Sequence, residues 1–301
     1  MTRHFTVSHL CCTGRAKQDH EGPERKLGAK GTRTFRRRCD KLGARHLAKV
    51  LPLKVQVIQV TEGVWCFRRP SYFACSYLVS TDTGAFAVDV GMDSHARDLL
   101  KGLKATGVPV CDVRVILLTY RHNDHSAGAA FLPRKFGIRV YYHAGDEPSL
   151  TRETAAPGIR GWLGKHIPEE GVLVLLRGLL EEAAPEAVSA NHLVTDGEIV
   201  AGGFRVVASP GHTTGHVAYV HEGTRSLFCG DALAVVNNQL RLMARPVTLD
   251  LPAARASALR CLGETVEFLC PGHRGPLVEN VMQERRLREY LESGGRWPLL
   301  G

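Results

Sequence analysis

The chain has 301 residues, 44% hydrophobic and 23% charged, a balance that excludes collagen-like, disulfide-scaffold and wholly disordered proteins. Its net charge of +9 sits at one end: residues 1–50 hold 13 Lys/Arg against 4 Asp/Glu, while residues 51–301 hold 26 of each sign. Whole-chain charge therefore gives no argument for nucleic-acid binding outside that end. No run approaches the ~18 consecutive apolar residues of a membrane helix. Nine cysteines, scattered and without a CxxC pair, read as reduced thiols of a cytoplasmic protein.

In chain order, residues 1–50 lack any helical or strand periodicity and are rich in Gly, Arg, Lys and Thr, with Arg36-Arg37-Arg38 as the densest basic run. They read as a disordered tail, and any contact with a polyanion would belong to it. Residues 51–301 read as the folded domain. Strand-length apolar runs follow at Val55–Val60, Cys75–Ser80, Ala85–Val90, Arg114–Thr119, Arg139–His143, Phe204–Ala208, Val217–His221, Ser226–Cys229 and Val266–Cys270, each bounded by Gly, Pro, Asp or Ser. Between them, Ser94 is expected to cap a helix that carries Leu99, Leu100 and Leu103 and stops near Gly107. Segment 155–190 reads as helical, interrupted by Gly and Pro, and carries Arg160, Trp162 and Lys165 as surface residues. Gly202-Gly203 reads as a hairpin turn. Asp250 and Pro252 open a further helix that ends at Gly263, and a charged helix is expected from Asn280 to Glu292. Alternating strands and helices define an α/β class.

Four of these strands run directly into polar loops: Tyr120-Arg121-His122-Asn123-Asp124-His125, Pro210-Gly211-His212-Thr213-Thr214-Gly215-His216, Gly230-Asp231 and Pro271-Gly272-His273. Ligands in α/β proteins collect where strands end, so four such loops can converge on one sheet edge. Together they supply imidazole and carboxylate donors of the kind that zinc and iron accept. His122, Asp124 and His125 leave a tight turn in different directions, which suits two metals better than one, and Asp231 is placed to be shared. His143 ends a strand and reads as packing or rim rather than as a ligand; Cys229 reads as a small core residue.

The series Asp89-Val90-Gly91, Tyr120 to His125, His212, Asp231 and His273 resembles the metallo-β-lactamase superfamily over about residues 55–280. Leu118-Thr119-Tyr120-Arg121-His122-Asn123-Asp124-His125-Ser126-Ala127-Gly128 is similar to its loop Thr-His-x-His-x-Asp-His-x-x-Gly, apart from one ligand. The resemblance implies an αββα sandwich of two mixed sheets flanked by helices. It implies a first metal site at position 120, His122 and His212, and a second at Asp124, His125 and His273, with Asp231 bridging. Asp89 takes a supporting role through hydrogen bonds, and His216 either does the same or caps its loop. The departure is Tyr120, where the family has a histidine; here it is either a metal ligand or a packed aromatic.

Among its branches the chain looks most like the compact glyoxalase II-like hydrolases. That implies one or two Zn2+ ions, with Fe or Mn as alternatives, and attack by a metal-activated hydroxide held by Asp124 on a small ester, thioester or lactone. The alternatives are a non-catalytic metal-binding descendant, a β-lactam hydrolase and a nuclease-branch phosphodiesterase. The charge-neutral body lacks the basic stripe that the last of these needs.

Overall fold

A computed structural model describes residues 55–69, 73–150, 186–278 and 281–299. The basic tail and most of the interrupted helical segment, with Arg160, Trp162 and Lys165, lie outside the described residues. Seven strands lie side by side in chain order in the first sheet: β1 (Gln56–Thr61), β2 (Val64–Arg68), β3 (Cys75–Thr81), β4 (Gly84–Val88), β5 (Val113–Leu117), β6 (Arg139–His143) and β7 (His192–Val194). The first four form an antiparallel meander, and β4 to β7 run parallel. The second sheet is built from β8 (Ile199–Val200), β9 (Phe204–Ala208), β10 (Val217–His221), β11 (Ser226–Gly230), β14 (Phe268–Pro271) and β15 (Leu277–Val278), in the order β15-β14-β11-β10-β9-β8. A separate hairpin pairs β12 (Ala234–Val236) with β13 (Gln239–Arg241). The helices are α1 (Arg97–Thr106), α2 (Asn123–Ser126), α3 (Phe131–Phe136), α4 (Glu147–Leu150), α5 (Leu251–Cys261) and α6 (Val281–Glu292).

Every residue of β10 and β11 is buried, and a strand buried on both faces needs cover on both. On the inner side the two sheets pack on each other, Tyr77, Phe86, Val88 and Leu117 meeting Phe204, Tyr219, Phe228 and Cys270. Tyr77 and Phe228 meet edge to face at 5.3 Å, as do Phe86 and Phe204 at 5.9 Å. On the outer sides, Leu99 and Leu103 of α1 with Leu132 of α3 cover the first sheet. Ala258 and Cys261 of α5 with Leu291 of α6 cover the second. The result is the αββα sandwich.

Register decides where the loops emerge. Val88 pairs with Leu117, so Asp89 and the 118–125 segment leave the first sheet together. Phe228 pairs with Cys270 and Gly230 with Pro271, so Asp231 and His273 leave the second sheet together. Hydrogen bonds Val217 N to Thr119 O (2.9 Å), Cys75 N to Gly272 O (2.8 Å) and Tyr219 Oη to Leu118 O (2.9 Å) tie the two edges.

Some local expectations are corrected. β5 stops at Leu117 rather than Thr119, because Leu118 and Thr119 turn their carbonyls toward the second sheet. Ser94 is not the cap of α1. Ala96 holds that position at φ 51°, and the Asp93 carboxylate accepts from the backbone of His95 (2.8 Å) and Arg97 (3.3 Å). Residues 186–190 contain no helix. Gly107 closes α1 at φ 75°, Asp250 caps α5 by accepting from Ala253 N, and Gly202-Gly203 turns β8 into β9, as expected. Cys66, Cys75, Cys111, Cys229, Cys261 and Cys270 are free thiols. Among the described residues no helix is long and apolar enough to cross a membrane.

Gly211 sets the path of the His212 loop. Its φ is 133°, and a Cβ there would lie 2.2 Å from the backbone nitrogen of Ala254 in α5. Such a conformation costs a side chain ~1–3 kcal/mol before any clash. Gly211→Ala is therefore expected to destabilise the protein by at least about 1–3 kcal/mol in a urea melt; an unchanged midpoint would show that the loop is not held against α5.

Candidate metal centre

The first fixed point is a carboxylate. Asp89 follows β4 in the left-handed region at φ 58°, and its Oδ1 accepts from Thr119 N at 2.8 Å while Oδ2 accepts from Thr119 Oγ1 at 2.7 Å. The same Oδ2 accepts from His125 Nδ1 at 2.7 Å. A proton held on Nδ1 leaves the lone pair of the neutral ring on Nε2, facing away from Asp89. His125 sits on α2, whose first turn begins directly after His122.

That nitrogen points into a cluster. His125 Nε2 lies 3.8 Å from Asp124 Oδ2 and 3.6 Å from Asp231 Oδ1. His273 Nε2 lies 3.1 Å from Asp124 Oδ2 and 3.5 Å from Asp231 Oδ2. Donors on one tetrahedral ion at about 2.0–2.2 Å stand roughly 3.3–3.6 Å apart, so these separations fit one ion held by Asp124, His125, Asp231 and His273. One atom from each of Asp124, His125 and His273 already lies within 4.8 Å of the others. His125 Nε2 and Asp231 Oδ1 are buried without a hydrogen-bond partner, a costly state that an ion relieves. Gly272 makes room, since a Cβ there would lie 2.4 Å from the His125 ring and 2.5 Å from Asp231 Oδ1. Gly230 does likewise for Asp231, with a Cβ 2.7 Å from His216 Nε2.

Beside this cluster, His212 Nε2 lies 3.0 Å from His122 Nδ1 and 3.4 Å from Asp231 Oδ2. Tyr120 packs among the imidazoles, its ring centre 4.4 Å from His125, 4.7 Å from His212, 4.9 Å from His122 and 5.1 Å from His216. Its hydroxyl is buried without a hydrogen bond.

Burial opposes charge throughout, and the outcome differs by group. At His125 burial is outweighed by Asp124 and Asp89, which push it up to about 9. At Asp124 burial is outweighed by His125 and His273, which hold it down to about 2. Burial keeps His212 neutral, lowered to about 4 with help from His122, and lowers His216 to about 3 with help from His212. Burial and then Asp124 and Asp231 raise the Tyr120 phenol well above its ordinary value.

His216 both supports and caps. Its Nε2 accepts from Asp231 N at 3.0 Å and its Nδ1 shares a 2.8 Å hydrogen bond with Ser209 Oγ. His143 stands apart and accepts from Gly145 N. Asp146 went unrecognised in the sequence, where nothing in its spacing marks it. It is buried after β6, and its carboxylate accepts from Arg121 N (3.0 Å), Thr213 Oγ1 (2.8 Å) and Gly215 N (2.9 Å). One carboxylate thus binds the His122 loop to the His212 loop.

Two packed mixed sheets that deliver imidazoles and carboxylates from separate loops to one edge define a metal-binding α/β sandwich. The metallo-beta-lactamase superfamily model matches residues 72–273, and the chain belongs to that superfamily. It is 26% identical over 250 residues to the probable metallo-hydrolase YqjP of Bacillus subtilis (strain 168), covering 75% of this chain and 76% of that one. It is 33% identical over 158 residues to the hydroxyacylglutathione hydrolase of Acidiphilium cryptum (strain JF-5), covering 52% of this chain and 49% of that relative. The chain thus spans about half the length of that relative or less in the others of its name. The solved metallo-beta-lactamase family protein TTHA1429 from Thermus thermophilus shares the fold, with a TM-score of 0.56 and 23% identity over 78% of this chain and 81% of that one. With relatives of these kinds the chain stands among the superfamily's metal-dependent hydrolases.

Two outcomes follow from the charges and the Asp146 brace. In the chelated protein, His125 contributes stability that is complete below its ordinary 6.5 and lost as pH rises through about 9. His212 and His216 must stay neutral, so their contribution is complete above 6.5 and lost as pH falls toward about 4 and about 3. The melting temperature of the chelated protein is expected to peak near pH 6.5, the ordinary imidazole value; a monotonic rise from pH 5 to 9 would contradict the pairing. Asp146→Asn turns an amide N–H toward groups that are themselves donors and is expected to cost about 1–3 kcal/mol in chemical denaturation. Asp112→Asn, on an exposed carboxylate, should cost nothing measurable.

Proposed function

We propose that the protein hydrolyses small acyl compounds, with thioesters, esters and lactones as the substrate class, using a divalent ion held by Asp124, His125, Asp231 and His273. The observation that carries this reading is the four-donor cluster, two of whose buried atoms have no other partner. Nitrogen and oxygen donors in this mixture suit Zn2+, Fe or Mn. An ion bound there supplies acidity to a coordinated water and draws charge from a substrate carbonyl. The remaining work belongs to the chain. Asp231 is buried to 2% exposure, whereas Asp124 keeps 13%, so Asp124 is the carboxylate that meets an entering water and accepts its hydrogen bond. His122 and His212 stand beside it as neutral rings that offer lone pairs without charge. Asp89 and His216 hold His125 and the Asp231 backbone in place.

The choice of acyl over phosphodiester substrates follows from the body's charge, 26 basic against 26 acidic residues over 51–301, which leaves no surplus to neutralise a phosphate backbone. A relative named as a hydroxyacylglutathione hydrolase favours an acylated thiol within that class. The partner is thus a small molecule.

Asp231→Ala is expected to lose most of the bound metal and all turnover on a panel of thioester, ester, lactone, β-lactam and phosphodiester substrates. His143→Ala should retain both. Equal metal content in the two variants would remove Asp231 from the centre. Full metal content with no turnover on any panel member would instead mark a non-catalytic metal-binding protein.

A further inference from the structure

The two halves of the centre are unequal. Asp124, His125, Asp231 and His273 surround one position with four donors, two of them carboxylates. Among the described residues, the neighbouring position has His122 Nδ1 and His212 Nε2, 3.0 Å apart, and a share of Asp231, whose Oδ2 lies 3.4 Å from His212 and 3.5 Å from His273. Among the described residues Tyr120, 1% exposed, packs its ring on both of those imidazoles as well as on His125.

Its hydroxyl differs from those of Tyr77, Tyr142 and Tyr219. Tyr77, Tyr142 and Tyr219 each donate to a backbone carbonyl, those of Pro271, Val188 and Leu118, at 2.7, 3.0 and 2.9 Å. The fold satisfies these three internally through backbone carbonyls, whereas the Tyr120 hydroxyl is buried without such a partner, and the group that acts on it is the Asp231 carboxylate. The phenol lies among the imidazoles of the centre, and while it keeps its proton its oxygen is a weaker metal donor than an imidazole nitrogen.

We infer that Tyr120 makes this a one-ion centre: the four-donor position holds its ion tightly, and the His122–His212 position, faced by a phenol instead of a third donor, does not retain one. The inference rests on the proposed metal site and concerns its occupancy. Loss of a supporting partner of a ligand typically costs ~10–100-fold in metal affinity, and absence of a ligand itself costs at least that. The two positions should therefore differ in affinity by more than about tenfold.

The test is the zinc content of the full chain after loading with excess Zn2+ and gel filtration, with Tyr120→His and Tyr120→Phe alongside and circular dichroism as the check on folding. The unmodified chain is expected to retain one ion, Tyr120→His two, and Tyr120→Phe one with unchanged affinity. Two ions in the unmodified chain, or one in a folded Tyr120→His, would overturn the inference while leaving the four-donor site intact. An ion lost in Tyr120→Phe would overturn it as well, as would a ferric-loaded chain whose visible charge-transfer band vanishes in that variant, because the phenol would then be a ligand. No zinc retained by any form would defeat the proposed metal site itself, and the inference with it. A thermal shift titrated with Zn2+ gives a second reading, one binding phase in the unmodified chain against two in Tyr120→His.

Discussion

The buried 2.7 Å hydrogen bond between Asp89 and His125 is the constraint on which the metal edge depends. It joins the end of β4 to the first turn after β5, and it fixes which nitrogen of His125 faces the centre. Asp89 also anchors Thr119 through both backbone and hydroxyl, so the start of the 120–125 turn and its last ligand hang from one carboxylate. Removing that carboxylate would free the ring to rotate and would leave the Thr119 amide buried without an acceptor. The position of Asp89 in the left-handed backbone region is the local strain that the arrangement carries. A short polar side chain with three donors to satisfy tolerates it.

Convergence of the other donors is a matter of register rather than of affinity between loops. The parallel pairs β4–β5 and β11–β14 each release their loops at matched heights, and backbone hydrogen bonds between the edges hold the two sheets at that level. Glycine is then required twice, at 230 and 272, because the backbone must pass closer to His216 and to the His125–Asp231 pair than any Cβ permits. Asp146 completes the enclosure from the first sheet by gripping both histidine loops. Fold and centre are therefore one object: the sandwich core sets the sheet spacing, and that spacing sets the distances between the donor side chains.

Much of this was legible in the sequence because it repeats a local pattern. Nine of the strands lie close to their apolar runs, and the Pro-Gly-His and Gly-Asp loops announce themselves at strand ends. What escaped was short or non-local. β2 follows β1 after the two-residue turn Glu62-Gly63, and β7, β8, β12, β13 and β15 are two or three residues long, too short for any periodicity to register. Ser94 fits the usual cap composition, but the Asp93 carboxylate reaches the amides of His95 and Arg97 first. Asp146 had no signal, since its partners lie 25 and about 70 positions away. Tyr120 was visible as a departure from the resembling motif, yet only the geometry shows that its hydroxyl goes without the carbonyl partner that Tyr77, Tyr142 and Tyr219 have.

The electrostatics of the centre explain why these exceptions sit together. Two carboxylates, Asp124 and Asp231, face two imidazoles that become cationic when no ion is present, His125 and His273. These protons balance the carboxylates, and an ion bound there would displace them. His122 and His212 cannot play that part, because burial holds both as neutral rings. Charge compensation is therefore concentrated on one side of the centre, the side with four donors. Tyr120 packs against both sides, its ring 4.4 Å from His125 and 4.7 Å from His212, and brings an uncharged phenol that is a weaker metal donor than an imidazole. The same asymmetry leaves His122 and His212 with no charge to neutralise.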